Sequence, residues 1–165
     1  MTTSTSAPSP TLAPEASPQG EPQRRVDALL AHYGTSHTHP TNEVIHFVAI
    51  PLIMLSLVGL IFSAHPWAAY AFIGASLVYY VRLSVVFFAA MVLGSIGMMA
   101  VIHALDARSL LLGTSVAVFV VAWIFQFIGH KVEGKKPSFF EDIQYLWVGP
   151  LFVLSKLFLK LGVRW

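Results

Sequence analysis

The sequence has no cysteine, few charged residues and none of several familiar nucleotide-binding or protease motifs. The absence of cysteine excludes disulfide scaffolds and thiolate metal sites, so any bound metal must use His, Asp or Glu. Charged residues make up 11% of the 165 residues and are too scattered for a nucleic-acid-binding surface. No complete GxxxxGK[ST], GxGxxG or HExxH occurs, so neither a phosphate-binding loop nor the helical zinc-protease motif is indicated.

Hydrophobic residues, in contrast, are abundant. They make up 56% of the chain, above the roughly 45–50% found in soluble domains. Apolar segments near the ~20 residues needed to cross a hydrocarbon core recur along the sequence. We predict four transmembrane helices, at about 44–64, 67–80, 83–105 and 110–129. The composition therefore predicts an all-α integral membrane bundle.

Two further segments flank these spans. In residues 23–33 apolar side chains recur with helical spacing, which predicts an amphipathic helix lying on the membrane surface. The final segment, 145–165, contains Gly149 and Pro150 as well as two lysines. We predict that it is an interfacial or re-entrant amphipathic helix rather than a fifth crossing.

The N-terminal segment differs from the rest in composition. Residues 1–22 are rich in Pro, Ser and Thr and lack apolar periodicity, which predicts a disordered tail. Residues 23–165 then form one helical membrane domain. An even number of crossings places most Lys and Arg on the side of both termini, which the positive-inside rule assigns to the cytoplasm. The predicted location is a bacterial inner membrane or the endoplasmic reticulum.

Proline and small residues inside the predicted spans suggest packing features. Pro51 is expected to kink the first span, because it frees a carbonyl one turn earlier. In the third span, Gly94, Gly97 and Ala100 recur every third residue, which predicts the close approach of a neighbouring helix.

The seven histidines divide between the two ends of the predicted bundle. Five lie on the side of the termini: His32, His37, His39, His46 and His130. The other two, His65 and His103, lie at the opposite ends of their helices, ~30 Å away. Any single cluster of histidines is therefore expected on the side of the termini.

His46 and His130 are the most informative of the five. His46 lies about one turn inside the first span, with Asn42 on the same helix face. An ionisable residue within a membrane helix usually faces the bundle interior and marks a site, although an interior histidine held by one hydrogen bond is an equal alternative. His130 ends the fourth span, where a histidine often caps the helix dipole. Glu133, three residues later, is a candidate ligand, a partner of a ligand or a neighbour of lysine.

His37 and His39 precede the first span, and each taken alone is more simply a helix cap or a loop residue. Together with His46 and His130 they exceed what capping requires. A nitrogen-rich donor set suits iron, copper, zinc or nickel. The pattern therefore permits iron or zinc and does not choose between them.

Two motifs carry a resemblance to a known family: YGTSHTHPTNEVIHFVAIPLI and WIFQFIGHKVEGKKPSFFEDIQYLWVGPLFVL. They resemble the membrane-bound 2-hydroxy fatty acid dioxygenases of lipid alpha-oxidation, including a bacterial branch described as a domain of unknown function. The resemblance covers residues 33–162. It implies a ferrous iron held by histidines. The implied ligands are His37, His46 and His130, accompanied by Asn42 and Gln126. His39, a candidate fourth ligand, stands where the fungal pattern has a residue other than histidine.

The resemblance implies an iron(II)-dependent dioxygenase that converts a 2-hydroxy fatty acid into the acid one carbon shorter. Its partners would be the hydroxy acid, dioxygen and membrane lipids. Asn42 would orient a ligand or bound water, and Lys135 or Lys136 would receive the substrate carboxylate. The alternatives are a non-enzymatic carrier or scaffold, in which the histidines join helices, and a zinc-dependent lipid hydrolase. The oligomeric state is left open, a homo-oligomer included.

Overall fold

The polypeptide folds into a bundle of helices that runs back and forth between two ends. The structure, a computed structural model, describes residues 24–35, 37–134 and 145–165. Residues 1–22 and Lys135 lie outside these ranges, so the predicted tail and the predicted role of Lys135 stay predictions. The described helices are α1 (Arg25–Gly34), α2 (Pro40–Ala64), α3 (Pro66–Val81), α4 (Val85–Asp106), α5 (Leu111–Glu133) and α6 (Val148–Leu161).

The predicted all-α fold is confirmed, and three of its helices are long and apolar enough to cross a membrane. These are α2, α4 and α5, with 25, 22 and 23 residues, or ~33–38 Å at the rise of an α-helix. The remaining predicted span, 67–80, lies in α3. With 16 residues, α3 extends ~24 Å, less than the ~30 Å of a hydrocarbon core. The described chain thus has three candidate spans and one shorter apolar helix.

Short connections reverse the chain between α2 and α3, between α3 and α4, and between α4 and α5. Consequently α2 and α4 run in one direction, while α3 and α5 run in the other. Phe62 near the end of α2 packs in one apolar cluster with Ile102 near the end of α4 and Leu111 at the start of α5. We call this the distal end of the bundle. The opposite end, where α2 begins and α5 ends, is the histidine end.

The most extensive helix pair is α2 with α5. Two glycines allow these helices to approach closely. A Cβ added at Gly59 would collide with Ser115 Oγ, and one added at Gly129 would collide with Asn42 Oδ1. The close approach therefore exists towards both ends of the pair, and at the histidine end it brings the start of α2 against the last turns of α5.

Helices α1 and α6 complete the histidine end. Val26 and Tyr33 are buried on the apolar face of α1, which packs against α6. The apolar face of α1 is therefore buried against α6. Helix α6 begins at Val148, so Gly149 and Pro150 fall in its first turn, where proline is tolerated. They begin the final helix and do not interrupt it.

The small residues of α4 do not have the role that the sequence predicts. A Cβ added at Gly94 or Gly97 would meet nothing within 4 Å. The predicted close approach of a helix is therefore wrong at these two positions. Both glycines instead leave open space beside α4.

Candidate metal centre

Three histidines from separate parts of the chain meet at the histidine end. His37 lies in the turn before α2, His46 in the second turn of α2 and His130 in the last turn of α5. All three side chains are buried. One potential ligand atom from each lies within 4.8 Å of those of the other two. Within the described ranges, these three form the one group of His, Asp or Glu residues with such spacing.

Backbone hydrogen bonds set the tautomer of two of these rings. His37 Nδ1 lies 2.9 Å from the carbonyl oxygen of Tyr33, and His46 Nδ1 lies 3.0 Å from the carbonyl oxygen of Asn42. A carbonyl oxygen can only accept, so Nδ1 carries the proton in both rings. The neutral ring keeps its lone pair on Nε2. Histidines that bind metals are usually held in this way, because the second hydrogen bond fixes the direction of the ligand nitrogen.

Aromatic side chains hold His37 from the side of α1 and α6. The Tyr33 ring stacks on the His37 ring with centroids 4.1 Å apart and an interplanar angle of 11°. The Phe152 ring lies 5.6 Å from His37 and 5.1 Å from Tyr33. On this side His37 therefore faces packed rings, which restrict its motion.

Glu133 fastens the end of α5 to the start of α2. Its Oε1 accepts hydrogen bonds from the backbone N–H of Thr38 (2.8 Å) and from Thr38 Oγ1 (2.5 Å). Its Oε2 accepts from the backbone N–H of His39 (2.9 Å) and from Asn42 Nδ2 (3.0 Å). A carboxylate at a helix N-terminus also complements the helix dipole. Because both oxygens are engaged, Glu133 acts as a clasp between the elements that carry the histidines.

The remaining predicted site residues lie around this cluster. His39 is the N-cap of α2, and its Nδ1 accepts from the backbone N–H of Thr41 at 3.2 Å. Its side chain is exposed and is not part of the group of three, and its assignment as a fourth ligand stays a prediction. Asn42 is fully buried and contributes to the clasp. His65 and His103 are exposed at the distal end.

Comparison with known proteins agrees with the two motifs. Residues 23–161 match the protein family described as Mpo1-like, 2-hydroxy-palmitic acid dioxygenase Mpo1-like. The chain belongs to the Mpo1-like family. It is also similar to the 2-hydroxy-palmitic acid dioxygenase MPO1 of Saccharomyces cerevisiae, with 27% identity over 154 residues, which cover 87% of this chain and 85% of the yeast protein. No solved structure matches the chain.

The cluster in this Mpo1-like chain has the donor chemistry of a metal site. Three buried imidazoles suit a borderline divalent ion such as iron or zinc. Two buried amide oxygens, Asn42 Oδ1 and Gln126 Oε1, have no hydrogen-bond partner among the described residues. Asn42 and Gln126 each lie one helical turn before a histidine of the cluster. Buried polar atoms are normally satisfied, so both oxygens are suited to a bound water or a polar substrate group.

The sequence does not indicate two features that support this Mpo1-like site, the ring of Tyr33 and the closeness of Gly129 to α2. It marks Glu133 as a candidate ligand or partner of a ligand, but not the hydrogen bonds that join Glu133 to the start of α2. Tyr33 precedes His37 by one helical turn, a spacing that could have suggested contact. The spacing of Glu133 from His130 also places it near the site. For Gly129 no sequence signal exists, because its role depends on the distance between two helices.

Proposed function

We propose that the chain is an iron(II)-dependent dioxygenase that converts a 2-hydroxy fatty acid into the fatty acid one carbon shorter. The observation that carries the proposal is the buried cluster of His37, His46 and His130, which we take as the three ligands. Membership of the Mpo1-like family and the name of the yeast relative support the same substrate class. Three protein ligands leave positions for substrate and oxygen.

The proposed reaction balances without any further reductant: R–CH(OH)–COOH + O₂ gives R–COOH + CO₂ + H₂O. The bond between the carboxyl carbon and the hydroxyl-bearing carbon breaks, and the latter carbon is oxidised to the new carboxyl group. Dioxygen takes up all the electrons that the substrate loses. A ferrous ion would supply the activation of dioxygen, a chemistry that side chains alone do not provide.

The side chains around the cluster have the tasks of binding and orientation. The carbonyls of Tyr33 and Asn42 hold the rings of His37 and His46 so that Nε2 is the binding atom. Gln126 Oε1 can accept a hydrogen bond from the substrate hydroxyl, since it is buried beside the site. We propose Asn42 as a positioning residue, acting through His46 and Glu133, and Lys135 as the cation that receives the carboxylate.

We further propose that α3 completes a fourth crossing, so that both termini and the metal site lie on the cytoplasmic side. Helix α3 packs against α2 and α4, both candidate spans, and returns the chain between them. Because the chain has no cysteine of its own, a single cysteine introduced by mutation can report on which side of the membrane its position lies. A membrane-impermeant maleimide should label Arg108→Cys from outside intact cells or spheroplasts and His32→Cys only after lysis. The reverse pattern would contradict this orientation.

The activity is tested with the purified full chain, reconstituted with ferrous iron in lipid nanodiscs. A 2-hydroxy fatty acid labelled in its carboxyl group should give labelled carbon dioxide and the shortened acid in equal amounts, with one dioxygen consumed for each. Metal analysis of protein purified without added metal distinguishes the alternatives. Bound zinc with ester hydrolysis would support a hydrolase, whereas a chain that binds no metal would support a carrier or scaffold.

A further inference from the structure

An apolar groove lies between α2, α4 and α6. Its volume is about 320 Å³, and every side chain that lines it is apolar. Helix α2 contributes Ile50 and Met54, and α6 contributes Val153, while the wall formed by α4 includes Gly94 and Gly97. A groove without polar side chains can hold a hydrocarbon chain and offers no partner to a polar ligand.

Gly94 and Gly97 give this groove its depth along α4. A Cβ at either position would point into space that contains no protein atom within 4 Å. A side chain there would therefore begin in open space along the lining of the groove. These two positions therefore decide how much of the groove is open.

The groove adjoins the metal centre. Ile50 lies one helical turn after His46, and Ile50 and Met54 also line a second cavity of about 30 Å³. That cavity is bordered by Tyr33, whose ring stacks on His37, and by Gln126. Gln126 is 3% exposed, and its Oε1 has no hydrogen-bond partner among the described residues. The buried acceptor Gln126 Oε1 thus lies beside a small cavity that shares two wall residues, Ile50 and Met54, with the apolar groove.

The length of the groove suits one lipid chain. Its lining on α4 extends from Ala90 to Val101, which is ~17 Å along a helix. This is about half of the ~30 Å hydrocarbon core of a bilayer, the part occupied by the chains of one leaflet. Because α4 runs parallel to α2, Gly94 lies nearer to the histidines than Gly97 by about one helical turn.

We propose that this groove holds the hydrocarbon tail of the acid whose head group binds at the histidines, and that Gly94 and Gly97 limit the length of tail that fits. The inference rests on the proposed function for the identity of the head group. It adds a specificity-determining role for two glycines that carry no chemistry of their own.

A second apolar furrow, between α2 and α5, is the main competitor for the tail. It has a volume of about 270 Å³, and its walls include Val48 and Val121, which are 57% and 51% exposed. It is formed by two helices rather than three and shares no lining residue with the cavity beside Gln126. The furrow therefore has no wall in common with the cavity beside the buried polar acceptor, whereas the first groove shares Ile50 and Met54 with that cavity.

The test is the chain-length profile of Gly94→Phe and Gly97→Phe, measured with a homologous series of 2-hydroxy acids. Both variants should lose activity towards long chains selectively, by about tenfold or more for each methylene that no longer fits. Gly94→Phe should shift the optimum to shorter chains than Gly97→Phe does.

Gly74→Phe and Gly113→Phe are matched controls, because a Cβ at Gly74 or Gly113 also meets nothing within 4 Å, yet neither residue lines the groove. Equal shifts in the controls, or an unchanged profile in both groove variants, would overturn the proposal.

A binding measurement separates this proposal from the proposed function. A fatty acid with a diazirine at the end of its tail is crosslinked to the full chain in nanodiscs, and the modified peptides are identified by mass spectrometry. The expected crosslinks lie on α4 and α6, are lost in Gly97→Phe, persist in Gly113→Phe and compete with unlabelled 2-hydroxy acid. Three outcomes would contradict binding in the groove: crosslinks on α2 and α5 around Val48, crosslinks that unlabelled acid does not reduce, or a Gly97→Phe variant that changes only in oligomeric mass. None of these outcomes depends on whether the chain turns over the acid.

Discussion

Both ends of the bundle carry histidines, but they use them differently. At the histidine end His37, His46 and His130 are buried and converge. At the distal end His103 is exposed, and its Nε2 lies 2.9 Å from the hydroxyl of Tyr70. The presence of histidines alone does not distinguish the two ends. Burial, combined with backbone carbonyls that fix the ring nitrogens, makes one end suitable for a metal.

The close approach of α2 and α5 also occurs towards both ends. Gly59 meets Ser115 towards the distal end, and Gly129 meets Asn42 at the histidine end. Towards the distal end the contact joins parts of α2 and α5 that carry none of the three clustered histidines, whereas at the histidine end it positions a buried amide and the Glu133 clasp. Close packing is thus a property of this helix pair towards both ends. At the histidine end, the hydrogen bond between Asn42 and Glu133 ties that packing to the histidine cluster.

The largest effect is expected when a histidine of the cluster is removed. In His130→Ala, one of the proposed ligands is lost, so the affinity for the proposed iron should fall by more than the ~100-fold that loss of a supporting partner can cause. Turnover of 2-hydroxy acid should fall with it. His103→Ala is the matched control at the distal end. Iron content after dialysis against a chelator measures the difference, and equal loss in both variants would refute the contrast between the two ends.

A smaller effect is expected from Glu133→Gln. Glutamine keeps the size of the side chain, but its amide nitrogen cannot accept the hydrogen bonds that one carboxylate oxygen accepts. We expect a loss of roughly 10–100-fold in metal affinity, measured by competition with a chromophoric chelator.

The matched control for this change is Glu43→Gln, which removes another carboxylate near the start of α2. Glu43 pairs with Lys156 at 2.6 Å, and both side chains are partly exposed, at 35% and 42%. Exposed ion pairs contribute little, so metal affinity should stay close to that of the unaltered chain. If Glu133→Gln lost metal as completely as His130→Ala, Glu133 would be a ligand rather than a clasp.

The two close-approach glycines allow the two ends to be compared within one helix pair. Gly129→Ala should destabilise the fold by about 1–3 kcal/mol and should also weaken metal binding, because Asn42 must move. Gly59→Ala should cost less, since the Ser115 hydroxyl can rotate, and should leave metal affinity unchanged. Thermal unfolding in detergent and chelator competition measure the two quantities. Weakened metal binding in Gly59→Ala would contradict this separation of the ends.

Much of the fold follows from local sequence features. Apolar length predicts α2, α4 and α5, and Pro40 marks the start of α2 because proline is favoured in a first helical turn. Helix direction then puts His46 and His130 at the same end. The resemblance adds His37, whose ring is held by one backbone carbonyl in the turn before α2.

What could not be predicted depends on distances between helices. Gly97 and Gly129 are both glycines within apolar helices, yet one opens a groove and the other permits contact with Asn42. No local pattern separates these cases. Similarly, Glu133 becomes a clasp only because the end of α5 meets the backbone N–H groups of Thr38 and His39. Such roles arise from tertiary packing, which a single sequence does not specify residue by residue.

The smallest effect is expected at the distal end, from Tyr70→Phe. This substitution removes the hydroxyl that lies 2.9 Å from His103 Nε2 and leaves the ring in place. A hydrogen bond between neutral groups contributes about 0.5–1.5 kcal/mol, and the 41% exposure of Tyr70 favours the low end of that range, because water or a lipid headgroup can replace the lost partner. Iron content and turnover should not change, since ~30 Å of helix separates this pair from the cluster. A loss of iron in Tyr70→Phe would mean that the two ends are coupled through α3 and α4. Residues far from the cluster would then also contribute to metal binding.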